Sequence, residues 1–282
     1  MVEVASQQIT STRAVLQPMA GFIGRNFALL RRYLPWEMSW LLYSAATALS
    51  IGFLAVGMES VSGVKVPTDK ILVYLITGTL LWRYLSELFW ETSNVISWER
   101  WEGTIEYTFM APISRFVHLI GMSSFAVLYA GVRLVLLTLV CALFFHIDLS
   151  RANLPGACLV LGVSTFSLVG LGLMAASLPL VYTEKGTQMT EVIEAILLMV
   201  SGIYYPVEVL PVWLRFFSQF SPITYTLKGM RAAMLQGASV TELWPTIAPL
   251  IVTAIVLIPV GMMVFGYAEN YCKRVGKLKR SG

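Results

Sequence analysis

The chain has 282 residues, of which 57% are hydrophobic and only 13% charged, with a net charge of +4 and a mean hydropathy of +0.72. No soluble domain of this length needs so much apolar side chain to fill one core, so the composition argues for an integral membrane protein and against a soluble enzyme or binding module. The three cysteines, Cys141, Cys158 and Cys272, form no close cluster and only two histidines accompany them, a pattern of free thiols rather than of a disulfide framework or a metal site.

The N-terminus carries polar residues through Arg13, and Arg25, Arg31 and Arg32 interrupt the first apolar stretch, so no cleavable signal peptide is expected. Residues 12–35 alternate Phe22, Ile23, Phe27, Leu29, Leu30 and Leu34 with those three arginines. At helical spacing this gives one apolar and one basic face, predicting a helix that lies in the membrane interface. Pro35 is expected to turn the chain into the bilayer.

A helix needs roughly 20 residues to cross the hydrocarbon core. The apolar stretches 40–58, 71–95, 116–145, 154–181, 189–205 and 244–267 predict six spans, of which the fifth is the shortest. An even number places both termini on one side. Twelve Lys and Arg flank the spans on that side (Arg13, Arg25, Arg31, Arg32, Arg100, Arg115, Lys185 and five in the C-terminal tail). Six flank them on the other: Lys65, Lys70, Arg151, Arg215, Lys228 and Arg231. The richer side is predicted to be cytoplasmic. The basic tail from Lys273 to Arg280 suits anionic headgroups; no soluble domain accompanies it, which argues against a nucleic-acid partner.

Several charges fall inside the predicted spans. Arg83, Glu87 and Glu91 follow one another at four-residue steps and share a face of the second; Arg133 sits midway along the third; Glu191 and Glu194 lie at the cytoplasmic end of the fifth. Such groups are costly in lipid and should face each other or a cavity. The favoured reading is an Arg83–Glu87 pair, with Arg133 reaching Glu87, Glu91 or Glu194 across helices; a direct part in substrate passage is the other.

Between the second and third spans, Glu99, Arg100, Glu102 and Glu106 alternate with Trp98, Trp101, Ile105, Tyr107, Phe109 and Met110. This predicts an amphipathic helix over 97–112, broken at Gly103, that needs a partner for its aromatic face. Glu102, Gly103, Thr104 and Glu106 combine acidity with a glycine expected to permit close backbone approach. A phosphate-binding Gly-x-x-x-x-Gly-Lys-Ser/Thr loop is missing, since Lys185–Gly186 has the wrong spacing, so the chain itself is expected to bind no ATP.

After the fifth span, residues 201–231 are too aromatic to be a solvated loop. Pro206, Pro211 and Pro222 break the stretch into short pieces, and Tyr204, Tyr205, Trp213, Phe216, Phe217, Phe220 and Tyr225 give those pieces an interfacial character. Irregular backbone at membrane depth is tolerated only against protein or a water-filled path, so short re-entrant helices that line a pathway are predicted, with Pro206 ending the fifth span.

Three features together resemble the ABC-2 family of bacterial ABC exporter permeases. They are the interfacial helix before six spans, the Glu99-Arg-x-x-Gly-Thr-x-Glu106 helix ending in Pro112-Ile-Ser114, and the late Ser201-Gly-x-x-Tyr-Pro-x-x-x-Leu-Pro-x-Trp213, Ser221-Pro-x-Thr-Tyr225 and Gly229-x-Arg231 motifs. The resemblance implies an all-α fold. In it, 1–37 form a cytoplasmic tail and interfacial helix, 38–271 a six-span domain with a coupling helix at 97–112 and a re-entrant gate at 205–236, and 272–282 a basic tail. It implies a non-catalytic permease of the bacterial plasma membrane that dimerises with a second copy or a homologous permease. ATP and Mg would be held by separate ABC ATPase subunits. Glu99, Arg100, Glu102, Gly103, Thr104 and Glu106 would couple to the ATPase, while Tyr204, Tyr205, Pro206, Pro211, Trp213 and Tyr225 would shape the gate. The apolar faces of the second and fifth spans suit a hydrophobic or amphipathic cargo; the gate aromatics leave sugar stacking, and so glycan export, as the alternative. A proton-coupled carrier would show internal repeats that are missing here. An intramembrane enzyme would need a catalytic cluster, yet His118 and His146 lie about 42 Å apart along one predicted helix.

Overall fold

The computed structural model describes residues 12–62, 68–145 and 152–278; Lys65, His146, Arg151, Lys279 and Arg280, used above, lie outside the described residues. Within them the chain is helical and contains no strand. Helix α1 (Thr12–Arg32) lies before α2 (Leu34–Ser62) and α3 (Thr68–Ser93). A pair of short helices, α4 (Val95–Trp101) and α5 (Ile105–Met110), leads into α6 (Arg115–Phe144). Next come α7 (Leu154–Ala175), α8 (Ser177–Val181), α9 (Gly186–Val200), a 3-10 turn (Val207–Val209), α10 (Val212–Ser218), α11 (Pro222–Gln236) and α12 (Val240–Val275).

Local chemistry explains the boundaries. The helix α1 ends at a break at Tyr33, two residues before the expected Pro35, which instead occupies the second position of α2 where its missing N–H costs no helical bond. Ser114 starts α6 by accepting from the Val117 amide at 3.2 Å, and Asn153 starts α7 by accepting from Gly156 at 3.0 Å. A capping box between Ser239 and Glu242 opens α12, and Gly276 closes it in the left-handed region.

The helices α3 and α7 form the centre, with 61% and 56% of their most apolar stretches buried, against 28% for α2 and 17% for α6 and α12. What the outer helices expose is apolar: Leu42, Leu143 and Ile255 are 71%, 84% and 67% exposed. Only a hydrocarbon surrounding makes such a surface favourable. Against α7, α12 packs closely because Gly170 and Gly261 meet at the crossing; a methyl group on Gly261 would stand 2.7 Å from the Gly170 carbonyl oxygen. Small residues at such crossings let backbones approach, which is how membrane helices gain packing where no hydrophobic drive separates them from lipid.

Among the described residues, five helices are long and apolar enough to cross a membrane: Leu34–Met58, Lys70–Ser93, Arg115–Phe144, Leu154–Val181 and Val240–Val275. The segment expected as the fifth span differs. The 15-residue helix α9, about 22 Å long, stops at Val200 rather than running to 205, short of what a crossing requires. The stop is made by Gly202, whose φ of +73° only glycine adopts without strain, and not by Pro206.

Candidate functional site

The short helices α4 and α5 form a hairpin under the bundle. Gly103 makes the bend with φ +73°, so its lack of a side chain serves the turn rather than the close approach expected of it. Glu99 and Arg100, expected on the docking face, point inward and are 0% and 3% exposed. The Glu99 Oε1 atom accepts from His118 Nε2 at 3.0 Å and Thr108 Oγ1 at 3.1 Å, and lies 3.7 Å from an Arg25 nitrogen. This ties the hairpin to α6 and α1. Arg100 donates to the carbonyls of Pro179, Leu180 and Lys277, which ties it to α8 and to the end of α12. Burial lowers the Arg100 pKa from its ordinary value. Arg115 completes the set: it meets Glu269 at 2.9 Å, donates to the Thr108 and Phe109 carbonyls at 3.0 and 2.9 Å, and lies 4.1 Å from the Phe109 ring. The opposite face has little covering it. Trp101 is 59% exposed and Tyr107 and Met110 are each 73% exposed, with Glu106 beside them. Glu102, Gly103 and Thr104 are half-buried; Tyr33 donates to Glu102 at 3.4 Å.

Among the charges within the bundle, Arg133 lies at the hub. It pairs with Glu87 at 2.8 Å, donates to Tyr129 at 2.9 Å and to Ser44 at 3.2 Å, and Tyr129 in turn donates to Glu37. Glu87 is thus taken from α6, and the expected pairing with Arg83 does not form; Arg83 lies over the Tyr43 ring at 5.7 Å instead. Glu194 accepts from Ser86. Glu91 makes no hydrogen bond or ion pair among the described residues.

The stretch after α9 folds back on itself. Ser201 and Ser221 share a hydrogen bond of 2.9 Å, and Ser218 donates to the Val200 carbonyl at 2.5 Å. Arg231 donates to the Gly202 and Ile203 carbonyls at 3.0 and 2.6 Å while its guanidinium rests 3.6 Å from the Tyr74 ring. Ser218 thus satisfies a carbonyl left free where α9 ends, and Arg231 satisfies two in the turn that follows. Tyr205 donates to Met199 and Tyr225 to Gln219. Tyr204 is half-buried against both apolar clusters, while Pro206, Pro211 and Trp213 are exposed. Gly78 on α3 lies under this turn: a methyl group there would stand 2.5 Å from the Ile203 carbonyl oxygen.

The sequence profile of the ABC-2 type transporter family matches residues 25–235, about three quarters of the 282 residues. The chain belongs to the ABC-2 type transporter family. No curated protein matches it. Membership makes it a multi-pass membrane protein and the membrane component of an ABC transporter, a class of subunit that is generally not catalytic. The ABC-2 match begins at Arg25, the α1 residue that faces Glu99, and closes just past Arg231, so it takes in the hairpin, the charge cluster and the folded-back stretch but not α12. Within this ABC-2 chain, reading along the sequence missed His118, Tyr129 and Glu37 as partners of its charges, and placed Arg231 in a motif and on a flank without its carbonyl partners. Only Tyr129 carried a usable signal, since it stands one turn before Arg133 on the same face.

Proposed function

We propose that this chain is the permease subunit of an ATP-driven exporter of the bacterial plasma membrane. It pairs with a second copy or a homologous permease and is driven by two ABC ATPase subunits that hold the ATP and Mg. Both termini are cytoplasmic in this reading: α9 together with residues 201–206 makes the fifth of six crossings, which puts the termini on one side, and that side carries the richer share of Lys and Arg. The stretch 205–236 is the re-entrant gate at the outer face. The cargo is a hydrophobic or amphipathic molecule taken from the cytoplasm or inner leaflet.

The observation that carries this reading is the two-sidedness of the α4–α5 hairpin. Its outer face presents Trp101, Tyr107 and Met110, residue types that anchor protein interfaces and are otherwise costly to leave in water, with the charged Glu106 beside them. Its inner face is held by Glu99, Arg100 and Arg115 to α1, α6, α8 and α12. A load applied to the outer face is therefore passed to four elements at once. Charged bonds in a poorly solvated setting resist slipping, so the hairpin moves with the bundle and not independently of it. A surface aromatic cluster on a free hinge could dock, but it could not transmit.

Replacing Tyr107 and Met110 together by glutamate tests this. Both side chains are outside the packed core, so the thermal midpoint of the purified chain should stay within about 1 °C of the native value. The ATPase subunit encoded with it should no longer copurify, or should bind at least about 30-fold more weakly, the loss expected for two interface anchors at about 2 kcal/mol. Undiminished copurification of the ATPase with the double variant would remove the hairpin from the interface.

A further inference from the structure

A half-open cavity of about 580 Å³ lies where α1 and the start of α2 face the end of α3 and the hairpin. Its walls include Trp36, Trp90, Trp98 and Trp101, four of the eight tryptophans in the chain. The charges around it are unequal: Glu37, Glu91, Glu99 and Glu102 line it, against Arg25 alone. Of these, Glu91 has no hydrogen-bonding or ionic partner among the described residues, and Glu37 is met only by the hydroxyl of Tyr129.

Two buried acceptors also lie unmatched at this wall. Every described partner of Glu99 goes to Oε1, while Oε2 is buried with none. Asn94 donates through Nδ2 to Trp90, Ser93 and Thr190, and its Oδ1 is likewise buried without a partner. Glu99 and Asn94 are 0% and 1% exposed, so bulk water does not satisfy them. Buried acceptors are normally paired, and two left open beside a cavity rich in carboxylates call for a positive or donor-bearing group. Aromatic faces attract the same group, since their quadrupoles favour a cation over the ring, most strongly for tryptophan and in a site shielded from water.

We propose that this cavity binds lipophilic organic cations, molecules with a delocalised or quaternary positive charge on an aromatic or aliphatic body. The carboxylates select the charge and the tryptophans take the apolar body. The position between the interfacial helix and the hairpin lets an amphiphile enter from the headgroup level, where such cations concentrate. The proposal deepens the exporter reading by naming its cargo class, and it places the cargo against Glu99, one of the residues that fasten the hairpin.

The test is equilibrium binding of radiolabelled tetraphenylphosphonium to the full chain in phosphatidylcholine nanodiscs, with tryptophan fluorescence recorded in parallel. Saturable binding with a fluorescence change is expected, and tetraphenylborate, an anion of the same size, should neither bind saturably nor compete. Glu91→Gln should weaken tetraphenylphosphonium binding about ten-fold or more, and because Glu91 supports no contact its thermal midpoint should not fall below that of the native chain. Equal binding of both ions, or an unchanged affinity in Glu91→Gln, would overturn the proposal. So would loss of binding on exchange into phosphatidylethanolamine nanodiscs, which would give the cavity to the primary ammonium headgroup of that lipid. Because the ATPase is not in the assay, this result is independent of whether the hairpin variant above loses its partner.

Discussion

Gly170→Val is expected to lower the thermal midpoint of the detergent-solubilised chain by roughly 6–12 °C. A β-carbon on Gly170 would stand 2.7 Å from the Ile258 nitrogen and from the Leu257 carbonyl carbon, both backbone atoms of α12 that cannot rotate away. The helices must separate along their main contact, and overpacking of this kind costs about 3 kcal/mol. Each kcal/mol moves the midpoint by about 2–4 °C in a chain of this size class, which gives the range above. Gly162 lies on the same helix with nothing within 4 Å of an added β-carbon. Gly162→Val is therefore the control for helix propensity and should shift the midpoint by no more than about 1–2 °C. Equal shifts for the two variants would mean that the α7–α12 crossing is not where the structure places it.

The second large effect is expected in the charge cluster. Arg133→Leu leaves Glu87 without its counter-ion and removes the donor to Tyr129 and Ser44, a loss of about 3 kcal/mol for breaking a largely buried pair. Glu87→Leu should cost a similar amount. The double variant removes both charges at once and should fall short of the sum by about 1.5 kcal/mol or more, the signature of a direct pair. Replacing Arg83 and Glu87 in the same way should give additive losses, because Arg83 stacks over Tyr43 and does not hold Glu87. Thermal midpoints of the six chains in one detergent decide the matter, and additivity for Arg133 with Glu87 would dissolve the cluster as described.

The architecture was largely legible before any coordinates because a span is a compositional object: about 20 apolar residues in a row suffice to name it. Four of the five long helices follow the apolar runs closely, and the fourth run only divides at Ala176 into α7 and α8. The fifth run misleads for a physical reason. Ile203, Tyr204 and Tyr205 keep the hydropathy high past the point where Gly202 has already turned the backbone, and hydropathy carries no information about φ. The site was less legible. A four-residue step shows that Arg83 and Glu87 share a face, and a mid-span Arg133 has to reach a carboxylate on another helix, but spacing does not say that Arg133, 46 positions away, takes Glu87 from Arg83. Likewise the alternation in 97–112 shows that two faces exist without showing which is inside. The charged residues Glu99 and Arg100 turned out to be the buried ones because His118, Thr108 and three carbonyls wait for them there. The outward face was carried by Tyr107 and Met110, the apolar residues of the same pattern.

The central claim is that this chain works only as half of a membrane pair fastened to ATPase subunits through the hairpin. Native mass spectrometry of the complex released from the membrane in mild detergent measures this directly. The account predicts a mass equal to two permease chains, two of this one or one of it with a homologous partner, and two ATPase subunits, and it predicts that the Tyr107 and Met110 double variant yields the permease pair alone. A single copy of this chain carrying no ATPase, from a preparation that transports substrate, would contradict it.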